Sequence, residues 1–554
     1  MDYDKILHLI APMATWLLLC ILTISVYGCS ENKDDNNKLF RSLPSDRTGV
    51  TFRNDLNPTE EINTYSFRNF YNGGGVAIGD VNNDGRQDIF LTGNQVSNRL
   101  YLNEGDFKFQ DITKKAGIGS EGAWSTGVTM ADVNGDGWLD IYVCKSGAPG
   151  GKNRHNELFI NNGDSTFTER SSAYGLDITG LSIHASFFDY DRDGDLDMYL
   201  LSNPIRSLDD IKPEKGLRQK FEAGSGNRLF ENRLIDQSSD SDTIGFFDVT
   251  KEANIYSSKI VFGLGVSVSD INRDGWPDFY VYNDFFERDY LYINNRDGSF
   301  REVLDQHINS ISLSSMGGDI SDLNNDGYPE IFVSDMFPKT EYRLKSKVNI
   351  NKWSEYQSNV NNSYHHQFTR NTLQLNRGPL PYARKQSSAG RSSPAVHFSE
   401  VGRFAGVEAT DWSWGGLIAD FDLDGHRDLF VPNGIYKDLL DQDYISKVSD
   451  SKRLQSLVQE SDNPVMSMID QIPSNPIPNY MFAGGSGLRF TEVNEEWGLA
   501  TPSFSNGAAY GDLNNDGALD LVVNNVNMEA FVYRNRAPEL FPDRAWLQVS
   551  LDGA

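Results

Sequence analysis

The stretch Gly75-Val76-Ala77-Ile78-Gly79-Asp80-Val81-Asn82-Asn83-Asp84-Gly85-Arg86-Gln87-Asp88-Ile89-Phe90-Leu91 sets a nine-residue polar loop between two short apolar runs. The loop pattern, Asp-x-Asn/Asp-x-Asp-Gly-x-x-Asp/Glu, occurs seven times, starting at Asp80, Asp132, Asp189, Asp270, Asp322, Asp420 and Asp512. A single copy would be an ordinary Asp/Asn-Gly turn, but seven copies between strand-like runs define a repeat. Side chains at positions 1, 3 and 5 of such a loop converge on one point, and glycine at position 6 permits the sharp turn. Position 7 is occupied by Arg86, Trp138, Asp195, Trp276, Tyr328, His426 and Ala518, a spread that no side-chain ligand tolerates, so its backbone carbonyl is the expected donor. Oxygen-only donor sets of this kind suit Ca²⁺ better than Mg²⁺, which demands tighter octahedral geometry, and they lack the His and Cys that Zn²⁺ prefers.

Up to seven Ca²⁺ are therefore expected, on sets drawn from positions 1, 3, 5, 7 and 9. These are Asp80, Asn82, Asp84, Arg86 and Asp88; Asp132, Asn134, Asp136, Trp138 and Asp140; and Asp189, Asp191, Asp193, Asp195 and Asp197. They continue with Asp270, Asn272, Asp274, Trp276 and Asp278; and Asp322, Asn324, Asp326, Tyr328 and Glu330, where the last arm is longer. Asp420, Asp422, Asp424, His426 and Asp428, then Asp512, Asn514, Asp516, Ala518 and Asp520, complete the series.

Around each loop a larger unit repeats. After Ile89-Phe90-Leu91 come Asn98-Arg99-Leu100-Tyr101-Leu102-Asn103 and Phe107-Lys108-Phe109-Gln110-Asp111-Ile112-Thr113. Four short strands in succession make an antiparallel blade, and blades repeated radially make a β-propeller. The loop and its flanking strands resemble the FG-GAP/VCBS repeats of integrin-α-like propellers, which implies that each calcium loop joins the first two strands of a blade. The expected fold is all-β, a seven-bladed propeller over residues 46–540 with partly helical insertions on one face. Gly49-Val50-Thr51-Phe52-Arg53 is the candidate to supply the outer strand missing after Phe531-Val532-Tyr533-Arg534-Asn535 and so close the ring. Five residues before each loop stand Gly75, Gly127, His184, Gly265, Gly317, Gly415 and Gly507, as a crowded axis requires. His184 is either a functional residue lining the channel or a packed one filling an asymmetric axis.

Successive loops start 52, 57, 81, 52, 98 and 92 residues apart, so three blades carry insertions. All three are expected between second and third strands, on the face opposite the calcium loops, where elaborated loops on a rigid scaffold usually bind. Candidate contacts are Tyr364, His365, His366 and Arg370 in the fifth blade, and Tyr436, Asp438, Asp441 and Asp443 in the sixth. Trp124, Asp411, Trp412 and Trp414 enter inner strands near the same face. Trp and Asp together suit a sugar, but buried packing between blades is the stronger explanation for them, and insertions packed on one another as a cap are the alternative to a binding face.

The whole chain of 554 residues carries 78 acidic and 50 basic side chains, a net charge of −28, which excludes a generic nucleic-acid binder. Loop positions 1, 3, 5 and 9 hold three carboxylates in five copies and four in those starting at Asp189 and Asp420, 23 in all. Seven Ca²⁺ would bring −28 to −14, so half the excess charge is expected to be coordination chemistry. With 9 Trp, 24 Tyr and 32 Phe the chain is not an acidic disordered one.

Trp16 to Tyr27 has the length of a signal-peptide apolar core, too short to span a bilayer. Val26-Tyr27-Gly28-Cys29 after it resembles a bacterial lipobox. That resemblance implies a signal peptide over 1–29, lipidation of Cys29, an acidic tether over 30–45 and, with Ser30 following, sorting to the outer membrane of a Gram-negative cell surface. Cys20 would leave with the signal, and Cys144 lies in an apolar strand.

Tyr71-Asn72-Gly73-Gly74-Gly75, the run from Ser363-Tyr364-His365-His366-Gln367 to Leu373-Gln374-Leu375-Asn376, and Ala409-Thr410-Asp411-Trp412-Ser413-Trp414 resemble the large bacterial relatives of cartilage acidic protein. In those an ASPIC/UnbV domain follows the propeller, and Ala545-Trp546-Leu547-Gln548-Val549-Ser550-Leu551 resembles its opening strand, so 541–554 is expected to begin a truncated copy.

No HExxH, GxSxG or phosphate-binding loop is present, and no catalytic residue is assigned. The expected function is binding or adhesion, to a glycan or an extracellular protein, with membrane contact through the lipid alone. The alternatives are a polysaccharide lyase or hydrolase using His184 or the His365/His366 pair as base, and a structural subunit of an envelope assembly.

Overall fold

A computed structural model describes residues 37–147, 153–204, 212–222, 224–234, 245–348, 353–379, 396–451, 455, 459 and 461–547. Among them are seven four-stranded antiparallel sheets, whose strands follow one another in chain order in all but the last. In the first blade the strands are Val76–Gly79, Asp88–Leu91, Arg99–Asn103 and Phe109–Asp111. The polar loop joins the first strand to the second, and the same order recurs in every blade. Second strands are buried along their whole length, as in Asp88–Leu91 and Asp140–Ser146. They are covered on both faces by neighbouring blades, which is why they read as continuous apolar runs. Seven apolar clusters fill the seven inter-blade spaces. In one, Leu91 and Tyr101 of the first blade meet Val522 and Val532 of the last, so the ring is closed.

The closing strand is not the expected Gly49 to Arg53. Phe40–Leu43 pairs antiparallel with Phe531–Asn535, Phe40 opposite Asn535 and Leu43 opposite Val532. It lies within the stretch expected as tether. Phe40 is buried beside Phe421, at 5.8 Å between ring centroids, and Leu43 at the other end is buried too. This spacing of three hides the strand from an alternating pattern. Gly49, at φ +79°, turns the chain after a short helix, Ser45–Thr48. Val50 and Phe52 then cross the sheet end, where Ala530 N–H donates to the Phe52 carbonyl.

At the axis the glycines touch one another. A Cβ on Gly75 would come within 3.2 Å of the Gly127 Cα, and one on Gly265 within 3.3 Å of the Gly317 Cα. The same position lies at a break in strand register in the blades of Gly127, His184, Gly265 and Gly507. Crowding and bulging both favour glycine there.

The insertions follow second strands as expected, at 204–227, 335–371 and 432–479. Part of the extra length does not. Residues 233–245 and 377–397 join third to fourth strands, on the loop side of the ring. Helices Glu341–Lys347 and Trp353–Asn361 stand in the fifth-blade insertion, and Gln442–Ser449 and Pro464–Asp470 in the sixth. No helix among the described residues is long and apolar enough to cross a membrane. The expected signal peptide, Cys20 and Cys29 lie outside the described residues, as does the end of the run from Ala545. Cys144 is a buried free thiol inside its strand.

Candidate metal loops and the insertion face

One backbone scheme builds all seven loops. The position-5 N–H donates to one oxygen of the position-1 aspartate and the position-6 glycine N–H to the other, as Asp84 and Gly85 do to Asp80 at 3.2 and 2.7 Å. The position-7 N–H donates to the position-5 carboxylate, 2.8 to 3.2 Å away, whatever the residue at position 7. Position 4 takes the left-handed conformation in every loop, even at Leu423 with φ +60°. A backbone fixed this tightly holds the position-1 and position-5 carboxylates in place, and in the loops starting at Asp80, Asp132, Asp322 and Asp512 the position-3 Asn amide donates to the position-5 carboxylate.

The donors present fit a hard cation. Ligand oxygens of Asp189, Asp191 and Asp193 lie within 4.8 Å of one another, and so do those of Asp420, Asp422 and Asp428. Buried oxygens without a protein partner stand in the loops: Oδ1 of Asp191, Asp195, Asn272 and Asn514. A buried acceptor left so costs roughly 1–3 kcal/mol unless something fills it. Arginines lean on three loops: Arg86 on Asp84 at 2.5 Å, Arg296 on Asp274 at 2.7 Å and Arg544 on Asp422 at 2.9 Å.

Position 9 differs from the other three. Its carboxylate is buried and accepts the position-2 N–H in all seven loops, at 2.8 to 3.1 Å. In six it also accepts an N–H from the end of the third strand, such as Asn103 to Asp88 at 2.8 Å. Burial pushes Asp88 and Asp140 up to about 7, Asp278, Glu330 and Asp428 to about 8, and Asp197 to about 9. The position is a brace between strands as well as a candidate ligand.

Sequence reasoning missed the partner of that brace. Asn103, Asn161, Asn232, Asn294, Asn376 and Asn535 end third strands, and each side-chain amide donates twice. One bond goes to the position-8 carbonyl of its own blade, the other to the position-2 carbonyl of the preceding one. Asn103 thereby joins Gln87 to Leu513 at 2.9 and 2.8 Å, across the ring closure. The recurrent Asn at the end of the third strand was the available signal.

The seven residues expected on a ligand face do not form one site. Tyr364 is buried, its hydroxyl on the Glu214 carbonyl at 2.9 Å and the Arg218 guanidinium over its ring. The imidazole of His365 meets the Ile308 carbonyl at 3.0 Å, and burial pushes it down to about 4. His366 meets the Tyr356 hydroxyl at 2.7 Å. Asp411 is buried and paired with Arg343, which also holds Asp438 at 3.1 Å, while Lys347 holds Asp441 at 2.5 Å. The fifth and sixth insertions thus pack on one another through buried ion pairs. Arg370 pairs with Glu400 at 2.8 Å; Asp443 is exposed. Trp412, Trp414, Tyr436 and the buried Trp124 share one apolar cluster with Phe67, Phe70 and Tyr71. His184 and Trp414 alone of the seven line a cavity on the ring axis.

Comparison with known proteins agrees with this architecture. The family model described as FG-GAP-like repeat matches residues 80–143, 147–200 and 270–333. Cartilage acidic protein 1 of Xenopus tropicalis is 39% identical over 74 residues, 13% of this chain and 11% of that protein. Integrin alpha-6 of Gallus gallus is 36% identical over 104 residues, 16% of this chain and 10% of that protein. The matches therefore span about a tenth of the length of these relatives. Seven blades built on one loop make the chain a seven-bladed β-propeller, three stretches of which are similar to the FG-GAP-like repeat.

Proposed function

We propose that the chain is a Ca²⁺-stabilised propeller that presents its insertion face to a glycan or protein outside the cell, tethered to the outer membrane by a lipid on Cys29. The observation that supports the metal reading is the identical backbone scheme of the seven loops, with carboxylate oxygens gathered in those starting at Asp189 and Asp420 and buried oxygens unpartnered in those starting at Asp189, Asp270 and Asp512. Bound Ca²⁺ would supply charge neutralisation and cross-link strands one and two of each blade; the position-1, 3 and 5 side chains would hold it. With a site Kd of about 0.1 mM and external calcium of about 2 mM, linkage stabilises by ~1.8 kcal/mol per site, on the order of 12 for seven independent sites. Chelation with EDTA is expected to lower the melting temperature by many degrees, with recovery on adding back calcium; a melt indifferent to EDTA overturns the metal reading. Radiolabelled palmitate incorporated by wild type and lost in Cys29→Ser tests the anchor.

A further inference from the structure

On the ring axis, beside the starts of the inner strands and so away from the metal loops, lies a well of about 160 Å³. Its polar lining is Asn69, Asn72, Asn506, His184 and Thr126, whose hydroxyl is taken by the Ser182 carbonyl at 2.9 Å; Met316 and Trp414 are among its apolar residues, and glycine backbone supplies much of the wall. Among the described residues no Lys, Arg, Asp or Glu lines it, in a chain of net charge −28.

The other polar groups are unspent. Among the described residues, the side chains of Asn69 and Asn72 and the ring of His184 make no hydrogen bond. Asn506 is about nine-tenths buried, and although its amide donates to the Tyr71 carbonyl at 3.2 Å, its Oδ1 has no partner. Burial holds the His184 imidazole neutral, pushed down to about 4, so it offers one donor and one acceptor. The Trp414 indole N–H is taken by the Gly434 carbonyl at 2.7 Å, which fixes the ring in place. The other six blades carry glycine where this one carries histidine. The buried Asn506 Oδ1 without a partner is a cost that a ligand donor would offset, and the half-buried Asn69, Asn72 and His184 line the same space.

We propose that this well binds one neutral sugar residue, its apolar ring face against Trp414 and Met316 and its hydroxyls on Asn69, Asn72, Asn506 and His184. The inference rests on the reading of the insertion face as an extracellular binding surface and names its ligand class. A hydroxylated ring with one apolar face matches uncharged amide and imidazole partners beside an indole. A carboxylated sugar would enter a site with no cation to receive it.

The test is titration calorimetry and saturation-transfer NMR on the calcium-loaded chain. The probes are methyl β-D-glucopyranoside, methyl β-D-galactopyranoside, methyl α-D-mannopyranoside and methyl α-L-rhamnopyranoside, with methyl β-D-glucuronide as the charged control. One-site binding of at least one neutral glycoside is expected, with the glucuronide weaker by about tenfold or more. His184→Gly restores the residue used by the other blades, and Asn72→Ala removes a side chain without a partner. Each is expected to keep the wild-type melting temperature within a few degrees and weaken binding by about tenfold or more. Absence of binding by every neutral glycoside, or wild-type affinity in both variants, overturns the proposal. If the chain retains an envelope polysaccharide on a column while both variants retain it equally, the well is refuted and the wider binding reading stands.

Discussion

Asn103 and its equivalents show how much a single side chain does in this ring. Its amide joins the position-8 carbonyl of one blade to the position-2 carbonyl of the preceding one, and its backbone N–H braces Asp88. Asn103→Ala is expected to cost about 2 kcal/mol through two buried carbonyls left unpaired, seen in urea melts equally with calcium and with EDTA. Asp84→Ala, which touches the loop alone, is expected to lower stability in calcium and little in EDTA. A result in which both variants behave alike would sink the separation of brace from ligand. Arg343 bridges Asp411 and Asp438, all three nearly enclosed. Arg343→Ala strands the buried Asp411 carboxylate, while Asp438 keeps Lys347 at 3.2 Å, and is expected to destabilise the insertion cap by about 3–5 kcal/mol, with partial recovery in the Arg343→Ala/Asp411→Asn double variant by hydrogen exchange.

At the scale of one loop, burial of the position-9 carboxylate makes stability depend on pH in the absence of cation. The folded-state values of about 7 to 9 lie above the ordinary carboxylate range, so the folded chain binds protons that the unfolded chain has released. The contribution of these carboxyls to the stability of the metal-free protein is therefore full at low pH and is lost from about pH 4 up through the folded values. A cation offsets the charge, so calcium is expected to raise the melting temperature more at pH 8 than at pH 6; scanning fluorimetry with and without EDTA checks this, and equal shifts would refute it. The loops were legible in the sequence because coordination needs fixed residue types at fixed spacing. The strand Phe40–Leu43 was not, because its two inward side chains are three apart and Val50 and Phe52 alternate more convincingly. Nor was the fate of Tyr364 and Asp411: an aromatic or acidic residue in a connection looks the same whether it faces solvent or, as here, Arg218 and Arg343. His184 was legible as the odd residue among glycines, but Asn72 and Asn506 beside it carry no periodic signal.

For the whole molecule, the seven inter-blade clusters are equivalent in kind, and one of them joins the two ends of the ring. That interface depends on a strand of four residues. A chain beginning at Pro44 loses Phe40 and Leu43 and exposes the edge of Phe531–Asn535, an unpaired template for association. It is expected to melt well below the full chain and to form dimers or larger species by light scattering; an unchanged monomeric melt would show that Val50 to Asn54 closes the ring unaided. The pairing of Phe40 with Asn535 also carries a statement about time. Synthesis proceeds from the amino end, so the segment made first finds its place last, after some five hundred residues have followed it. Until then the incomplete ring shows two unpaired surfaces to whatever surrounds it, and loop-closure entropy opposes their meeting. A nascent chain of this kind has reason to be kept extended or escorted until its final blade emerges.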